Sequence, residues 1–505
     1  MWLLPHILPH TQDLSVHFTT HFCILPLQPL SYRNPLTILA SKQAKAGMVM
    51  AYLLLILMSV TEIGFLIADQ IKKSSKKTWS VRRLIVDLGQ AVLFALMLLL
   101  PGIDTSFRFM GLIILLVIRL VFAGLGVLIN RNKTATKKLS GKIASLILSI
   151  LLIAGAMVPS FVFTDYEGLP THGPYEVKQS NAILVDKNRI EEFESDGSYR
   201  EVPVYFFYPE NASEGDKFPL VVFSHGAFGY WQSNASTYLE LASQGYVVVS
   251  LDHPYHSFFT KDTSGKTITV DPGFMNSVMN ANGDMTEEKI YEESSKWMRL
   301  RVGDMNFVLD ELKKGADENK IEAYWFENES LKNDSLEALS LIDTDKIGVM
   351  GHSMGGATAV EIGKERDDIS AVIDLDGTML GSIIGAENGK YIVEDVEYHI
   401  PLFEFKNAES HYEMIELEKM DYPYPNFVIR DNADIIYCTY FEGSLHMDYT
   451  DLPLFSPFLG KLLGSGEVDN AYMMDQVNSL AVEFFDCYLK GEGQFSVNES
   501  YPGVR

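Results

Sequence analysis

Hydrophobic positions follow two regimes along the chain. Between Met48 and Phe163 four apolar stretches recur, roughly Met48–Ala68, Leu84–Ile103, Met110–Ile129 and Ile143–Phe163. Each reaches the ~20 predominantly apolar residues that cross a bilayer, and no polar stripe runs along them. They predict four transmembrane helices. From about Tyr175 onward, shorter β-branched and aromatic runs alternate with helix-periodic segments. Strands are predicted over Val202–Tyr208, Pro219–Ser224, Tyr246–Leu251, Lys346–Met350, Ala371–Leu375 and Pro401–Phe405. Their near-continuous apolar composition marks strands buried on both faces, and the helices between them mark parallel crossovers. Over Glu287–Lys314, Met298, Val302, Met305, Leu309 and Leu312 recur in steps of four and three on one helix face. A second helix is predicted over Met473–Leu489. The fold class is α/β, a mostly parallel sheet flanked by helices, preceded by a four-helix transmembrane region. The expected division is 1–47, a disordered or mis-started extension; 48–163, the four spans; 164–175, a linker; and 176–505, the α/β domain.

Charge separates the same two parts. Residues 1–165 carry 16 Lys+Arg against 6 Asp+Glu, a net of +10, and residues 166–505 carry 25 against 60, a net of −35. So acidic a domain repels nucleic acid, which excludes that partner. Lys72, Lys73, Lys76, Lys77, Arg82 and Arg83 lie between spans one and two, and Arg131, Lys133, Lys137, Lys138 and Lys142 between spans three and four. The remaining loop has only Arg108, offset by Asp104. Basic loops stay cytoplasmic, so the acidic domain is expected outside the cytoplasm, on an integral membrane protein. Residues 1–47 have no positive charge before Arg33, unlike a secretory signal. Glu62 and Arg119 fall deep within the first and third spans, at depths about 7 Å apart, which long side chains bridge. They read as a packing pair, with an ion pathway as the sharper alternative. Asp87 is placed near the inner edge of the second span, within reach of water. Three scattered cysteines, Cys23, Cys438 and Cys487, form neither a disulfide scaffold nor a metal-ligand spacing. No metal or cofactor is expected. Asn-x-Ser/Thr sites at Asn211, Asn234, Asn328, Asn333, Asn498 and Asn132 are too common by chance to decide a source.

The chemistry concentrates in Lys346-Ile-Gly-Val-Met-Gly-His-Ser-Met-Gly-Gly-Ala-Thr-Ala. An apolar strand runs into Gly351-His352-Ser353-Met354-Gly355 and then a small-residue helix start, the context of a G-x-S-x-G nucleophile elbow. Gly351 and Gly355 flank a turn too sharp for side chains, which would aim Ser353 Oγ outward at a helix N-terminus. A serine hydroxyl needs a base. In the Ser–acid–His chain order the candidates are His399, His411 and His446. His399 precedes a strand, at the wrong end of the sheet. His446 sits in a loop between the strand-like Ile435–Phe441 and the last helix, and is favoured over His411. For the carboxylate that holds the base, Asp376 lies at a strand end before Gly377 and is favoured over the deeper Asp374 and over Glu409. The N–H of Met354 supplies one oxyanion donor. The loop His225-Gly226-Ala227, after the strand Pro219–Ser224, supplies the second through the Ala227 N–H; Gly226 lets the backbone approach, and the His225 ring braces the loop.

From about Gly173 to the final helix, the chain resembles the platelet-activating-factor acetylhydrolase-like branch of the α/β-hydrolases. The likeness rests on Phe218-Pro-Leu-Val-Val-Phe-Ser-His-Gly, Gly348-Val-Met-Gly-His-Ser-Met-Gly-Gly-Ala-Thr, Leu375-Asp376 and Gly443-Ser-Leu-His446. That branch places its acid about two dozen residues after the serine, which favours Asp376. The resemblance implies a serine esterase acting on short or oxidised acyl esters, phospholipid sn-2 esters included, without metal, and with Ala227 and Met354 forming the oxyanion hole. The four spans lie outside the secreted pattern of that branch, and Gly-Thr follows Asp376 where an aromatic residue is usual. The alternatives are a catalytically idle hydrolase-fold binding module of a membrane sensor or transport partner, and acyl transfer to an alcohol.

Overall fold

The computed structural model describes residues 35–504 apart from 167, 214, 284, 327 and 421, with side chains from Gly47 onward. Backbone packing divides them into two units. One runs up to Gly168 and takes in Leu452–Leu462; the other comprises Leu169–Asp451 and the chain from Leu463 onward.

The first unit is built on four long helices, α1 (Pro35–Lys72), α2 (Lys76–Met97), α3 (Phe107–Asn130) and α4 (Leu139–Ala156). Three stretches, Gly47–Lys72, Phe107–Asn130 and Leu139–Ala156, are long and apolar enough to cross a membrane. The expected second span is not among them. Ser75 caps α2, its side chain accepting from the Thr78 N–H at 3.3 Å, so the helix starts well before Leu84 and ends at Met97 rather than Ile103. Basic residues assigned to a loop therefore lie within the helix, and α2 carries Lys76, Lys77, Arg82, Arg83 and Asp87.

Arg83 and Asp87 among them are used internally. Arg83 Nη1 reaches Glu62 at 2.6 Å, and Arg119 Nη2 pairs with Glu62 and, at 2.7 Å, with Asp87. Asp87 is thus buried rather than facing water, because it stands one turn from Arg83 on the face that meets Glu62 and Arg119. Lys142 Nζ pairs with Asp69 at 2.6 Å. Ionised groups away from water persist only with such partners, so Glu62 and Arg119 belong to a wider packing network. Residues 35–47 continue α1 toward its N-terminus; the rest of the expected extension lies outside the described residues. The segment Leu452–Leu462 packs with this unit, its Phe455 ring 4.9 Å from that of Phe163 and 6.0 Å from that of Phe107, and its carbonyl accepting from Thr164 N at 3.0 Å.

The second unit is built on a sheet whose main strands are β1 (Val177–Ile190), β2 (Tyr199–Pro209), β3 (Phe218–Ser224), β4 (Val247–Leu251), β5 (Ile342–His352), β6 (Ala371–Leu375), β7 (Leu402–Asn407) and β8 (Ile436–Phe441). Their spatial order is β1-β2-β4-β3-β5-β6-β7-β8, with two-residue strands at Ala323–Tyr324 and Ser500–Tyr501 on the edges. β2 runs antiparallel to β1 and β4; every pairing from β4 to β8 is parallel. This is the α/β-hydrolase arrangement. All residues of β3, β4 and β6 are buried, as near-continuous apolar strands must be. Helices cover both faces. On one, α6 (Glu287–Glu318) and α7 (Met354–Glu365) pack Met298, Met305, Leu309, Leu312, Ala357 and Val360 against the sheet. On the other, α5 (Ala235–Ser243) and α8 (Asn470–Phe485) pack Tyr238, Leu241, Met473, Val477 and Phe484. Each fully buried Met, Leu, Val or Phe side chain among them contributes about 1.5–3 kcal/mol. Parallel strands align their carboxyl ends, and there the loops after β3, β5, β6 and β8 gather the polar groups.

Candidate active site

β5 ends at His352 and α7 begins at Met354, so a single residue, Ser353, makes the turn at φ 55°, ψ −123°. That backbone is strained for any residue with a Cβ and is over-determined by its surroundings. Ser353 N–H donates to the Leu375 carbonyl at 2.8 Å, tying the elbow to the end of β6. A Cβ on Gly351 would overlap the Gly355 carbonyl carbon, and one on Gly355 would overlap the Ser224 carbonyl oxygen. The loop after β3 comes equally close: a Cβ on Gly226 would lie 2.8 Å from His352 Nδ1 and 3.2 Å from Ser353 Cβ. Ala227 follows, half-buried, and Met354 is buried at the first position of α7.

Asp376 and His446 meet. His446 Nδ1 donates to Asp376 Oδ2 at 2.6 Å, which leaves Nε2 as the ring nitrogen turned away from the carboxylate. Asp376 itself sits in a left-handed conformation just past β6 (φ 58°). Its Oδ1 accepts from Asn407 N at 2.8 Å and its Oδ2 from Asn407 Nδ2 at 2.7 Å. Burial pushes its pKa up, but the His446 hydrogen bond and the charges of His446 and Lys406 outweigh burial and hold it at about 2. Asp374 is engaged elsewhere, accepting from Gly377 N at 2.9 Å and from Lys406 Nζ at 3.3 Å. Glu409 is exposed on the first turn of the helix Ala408–Lys419. His399 is exposed beside Asp434, and His411 stacks on Tyr440 with ring centroids 3.9 Å apart. The His446 loop is pinned by Asp448, whose Oδ2 accepts from Leu445 N at 2.8 Å and from Gly466 N at 2.7 Å.

Further side chains support these residues. His352, next to the serine, donates from Nε2 to the His446 carbonyl at 3.1 Å, and the two rings lie 4.6 Å apart. The loop after β3 is braced by His225, whose Nδ1 donates to the Gly226 carbonyl at 2.6 Å and whose Nε2 meets Ser257 Oγ at 2.8 Å. Behind it lie Arg301 and Asp304 on α6, both fully buried. One signal for them was present: they interrupt the apolar stripe Met298, Val302, Met305 on its inner face. A charge there must be buried, and a buried charge must have partners. Among the described residues no group of His, Cys, Asp and Glu has metal-site geometry.

Residues 197–501 match the family described as platelet-activating factor acetylhydrolase, isoform II. Proteins named platelet-activating factor acetylhydrolase are similar to this chain in Cavia porcellus (25% identity over 294 residues, 54% of this chain and 58% of the relative) and Canis lupus familiaris (26% over 296 residues, 54% and 58%). The same name applies in Gallus gallus, at 25% identity over 298 residues, 56% of this chain and 64% of the relative. The chain thus spans somewhat under two thirds of the length of these curated relatives. A solved ferulic acid esterase from Streptomyces cinnamoneus superposes with a TM-score of 0.48 at 19% identity, over 64% of this chain and 93% of that one. The family match takes in the elbow, the Asp376–His446 pair and the loop at Gly226, and on that footing the chain belongs to the platelet-activating factor acetylhydrolase, isoform II, family.

Proposed function

We propose that the chain is a membrane-anchored serine esterase that hydrolyses lipid carboxylic esters with short or oxidised acyl groups, with its catalytic unit outside the cytoplasm. The observation that carries this reading is the 2.6 Å hydrogen bond from His446 Nδ1 to Asp376 at the sheet edge where Ser353 forms its strained turn. Asp376 fixes the tautomer, leaving His446 Nε2 to take the proton of Ser353 Oγ as it attacks the ester carbonyl. The N–H groups of Ala227 and Met354 receive the developing oxyanion. His446 then protonates the departing alcohol, and water, deprotonated by the same imidazole, releases the acid and restores the serine. Three observations support the lipid part of the reading: the family membership, the names of the relatives, and three helices apolar enough to hold the chain in a bilayer.

Ser353→Ala in the purified full chain is expected to lower ester turnover by about six orders of magnitude, as removal of a triad nucleophile does. A folded variant with most of its activity left would exclude the serine mechanism. Labelling of intact cells by an impermeant fluorophosphonate, lost in the variant, reports an activated serine on the outer side; labelling only after lysis would overturn the orientation.

A further inference from the structure

The Gly226 carbonyl and the Ala227 N–H belong to one peptide group. In a trans peptide they point in opposite directions, and whatever grips the oxygen sets the direction of the hydrogen. Three donors grip this oxygen: His225 Nδ1 at 2.6 Å, the Gly229 N–H of the same loop at 3.1 Å and Arg301 Nη2 at 3.2 Å. Arg301 Nη1 also donates to the preceding carbonyl, that of His225, and Nε reaches His256 Nδ1 at 3.4 Å. The guanidinium fork thus spans two consecutive carbonyls of the loop that passes Ser353.

The charge on that fork is not spent on a carboxylate. Among the described residues none lies within ion-pair distance of Arg301. Asp304, three residues on, instead accepts from Arg200 Nη2 at 2.7 Å and His253 Nδ1 at 2.9 Å. Burial lowers the Arg301 pKa to about 9, with Asp304 holding it up and Arg200 pressing it down, so the group is still charged at neutral pH. A full positive charge in a dry interior, facing two backbone carbonyls and a neutral imidazole but no carboxylate, is costly to keep. It has an electrostatic consequence: a cation at the oxygen end of an amide draws electron density from nitrogen and strengthens the N–H as a donor.

We infer that Arg301 is a positioning residue of the ester hydrolysis proposed above, aiming and polarising the Ala227 N–H toward the oxyanion from the far end of the same peptide. Because the oxyanion exists only along the reaction, the effect belongs to kcat and leaves substrate binding almost unchanged. A residue that merely filled space in α6 would instead move stability, KM or both.

The test compares the parent, Arg301→Met, Arg301→Lys and Ser353→Ala, each as the full chain in detergent, with 4-nitrophenyl acetate as substrate and a thermal melt on every protein. Arg301→Met is expected to lower kcat on the order of 100-fold, the scale of losing one oxyanion donor, with KM within about threefold. Arg301→Lys, which keeps the charge and loses the fork, is expected to fall between, at about tenfold. The inference is overturned if a folded Arg301→Met has a kcat within about twofold of the parent, or loses activity through KM alone. If Arg301→Met does not fold, Arg301→Lys decides by the same split, and failure of both to fold assigns the residue to folding and ends the inference. The function reading fails separately: parent turnover that survives in Ser353→Ala removes the esterase mechanism and this inference with it. A silent Ser353→Ala beside an unaffected Arg301→Met removes the inference alone.

Discussion

His352 shows how one residue of the elbow is tuned by its surroundings. A carbonyl can only accept, so the Nε2 that faces the His446 carbonyl carries the proton and Nδ1 is bare. Burial, then the charge His446 bears when protonated, lowers the His352 pKa to about 3, with Asp376 pulling the other way. The ring therefore stays neutral and adds no positive charge beside the proposed base. In the unfolded chain the same ring titrates near its ordinary 6.5. Between these values the unfolded chain holds a proton that the folded one does not. The resulting stability is full above pH 6.5 and is lost, at about 1.4 kcal/mol per pH unit, as pH falls toward 3. A glutamine at this position can donate the same hydrogen bond without titrating. The difference in unfolding free energy between parent and His352→Gln is therefore expected to be flat above neutrality. Between about pH 6 and 4 it should fall by about 1.4 kcal/mol per unit in denaturant titrations. A difference that ignores pH would contradict the buried, neutral assignment.

Among the elements, the strand–turn–helix from β5 into α7 is where local sequence and tertiary structure agree most closely. Its glycines are there for space: Gly355 passes so near the Ser224 carbonyl that even a methyl group has no room. Gly355→Ala must push β3 and the elbow apart, and the expected destabilisation is at least about 3 kcal/mol, with ester turnover lost in whatever folds. Unchanged melting temperature and turnover would mean that the elbow is looser than its backbone indicates. The elbow, the buried strands and the stripe on α6 were legible because each is written in consecutive or periodic residues. β1 was not. Lys178, Gln179, Asn181 and Asp186 interrupt its apolar pattern, and it becomes a strand because β2 offers an antiparallel edge along its length. α2 failed for a related reason. Its Arg83 and Asp87 look like loop or interfacial charges until Glu62 and Arg119, on other helices, supply partners. Asp376 was legible as a candidate from its place just past β6, but its Asn407 clamp and the grip of Arg301 on two loop carbonyls were not. They act through backbone groups and side chains far apart in the chain, and no spacing records that.

For the molecule as a whole, the distribution of charge bears on what the proposed esterase meets. Residues 166–505 carry a net of −35 and the preceding ones +10, so the part that holds the sheet is strongly acidic while the helices capable of crossing a membrane precede it in the chain. A surface rich in anionic lipid has a negative potential of about 30 mV that repels further negative charge within a screening length of about 8–10 Å. A substrate drawn from such a surface must be reached against that repulsion, whereas neutral or zwitterionic lipids impose none. The full chain reconstituted in vesicles is therefore expected to cleave a zwitterionic short-acyl phospholipid several-fold more slowly as anionic lipid is raised, on the order of the ~1 kcal/mol per interfacial charge seen for basic segments, with opposite sign. In about 1 M salt, where screening shortens to about 3 Å, the decline should disappear. Turnover of a water-soluble short ester in the same vesicles should not follow the lipid composition, because that substrate reaches the serine without passing the surface. Faster phospholipid cleavage on anionic vesicles would show instead that a local basic patch, not the acidic whole, governs the encounter with lipid.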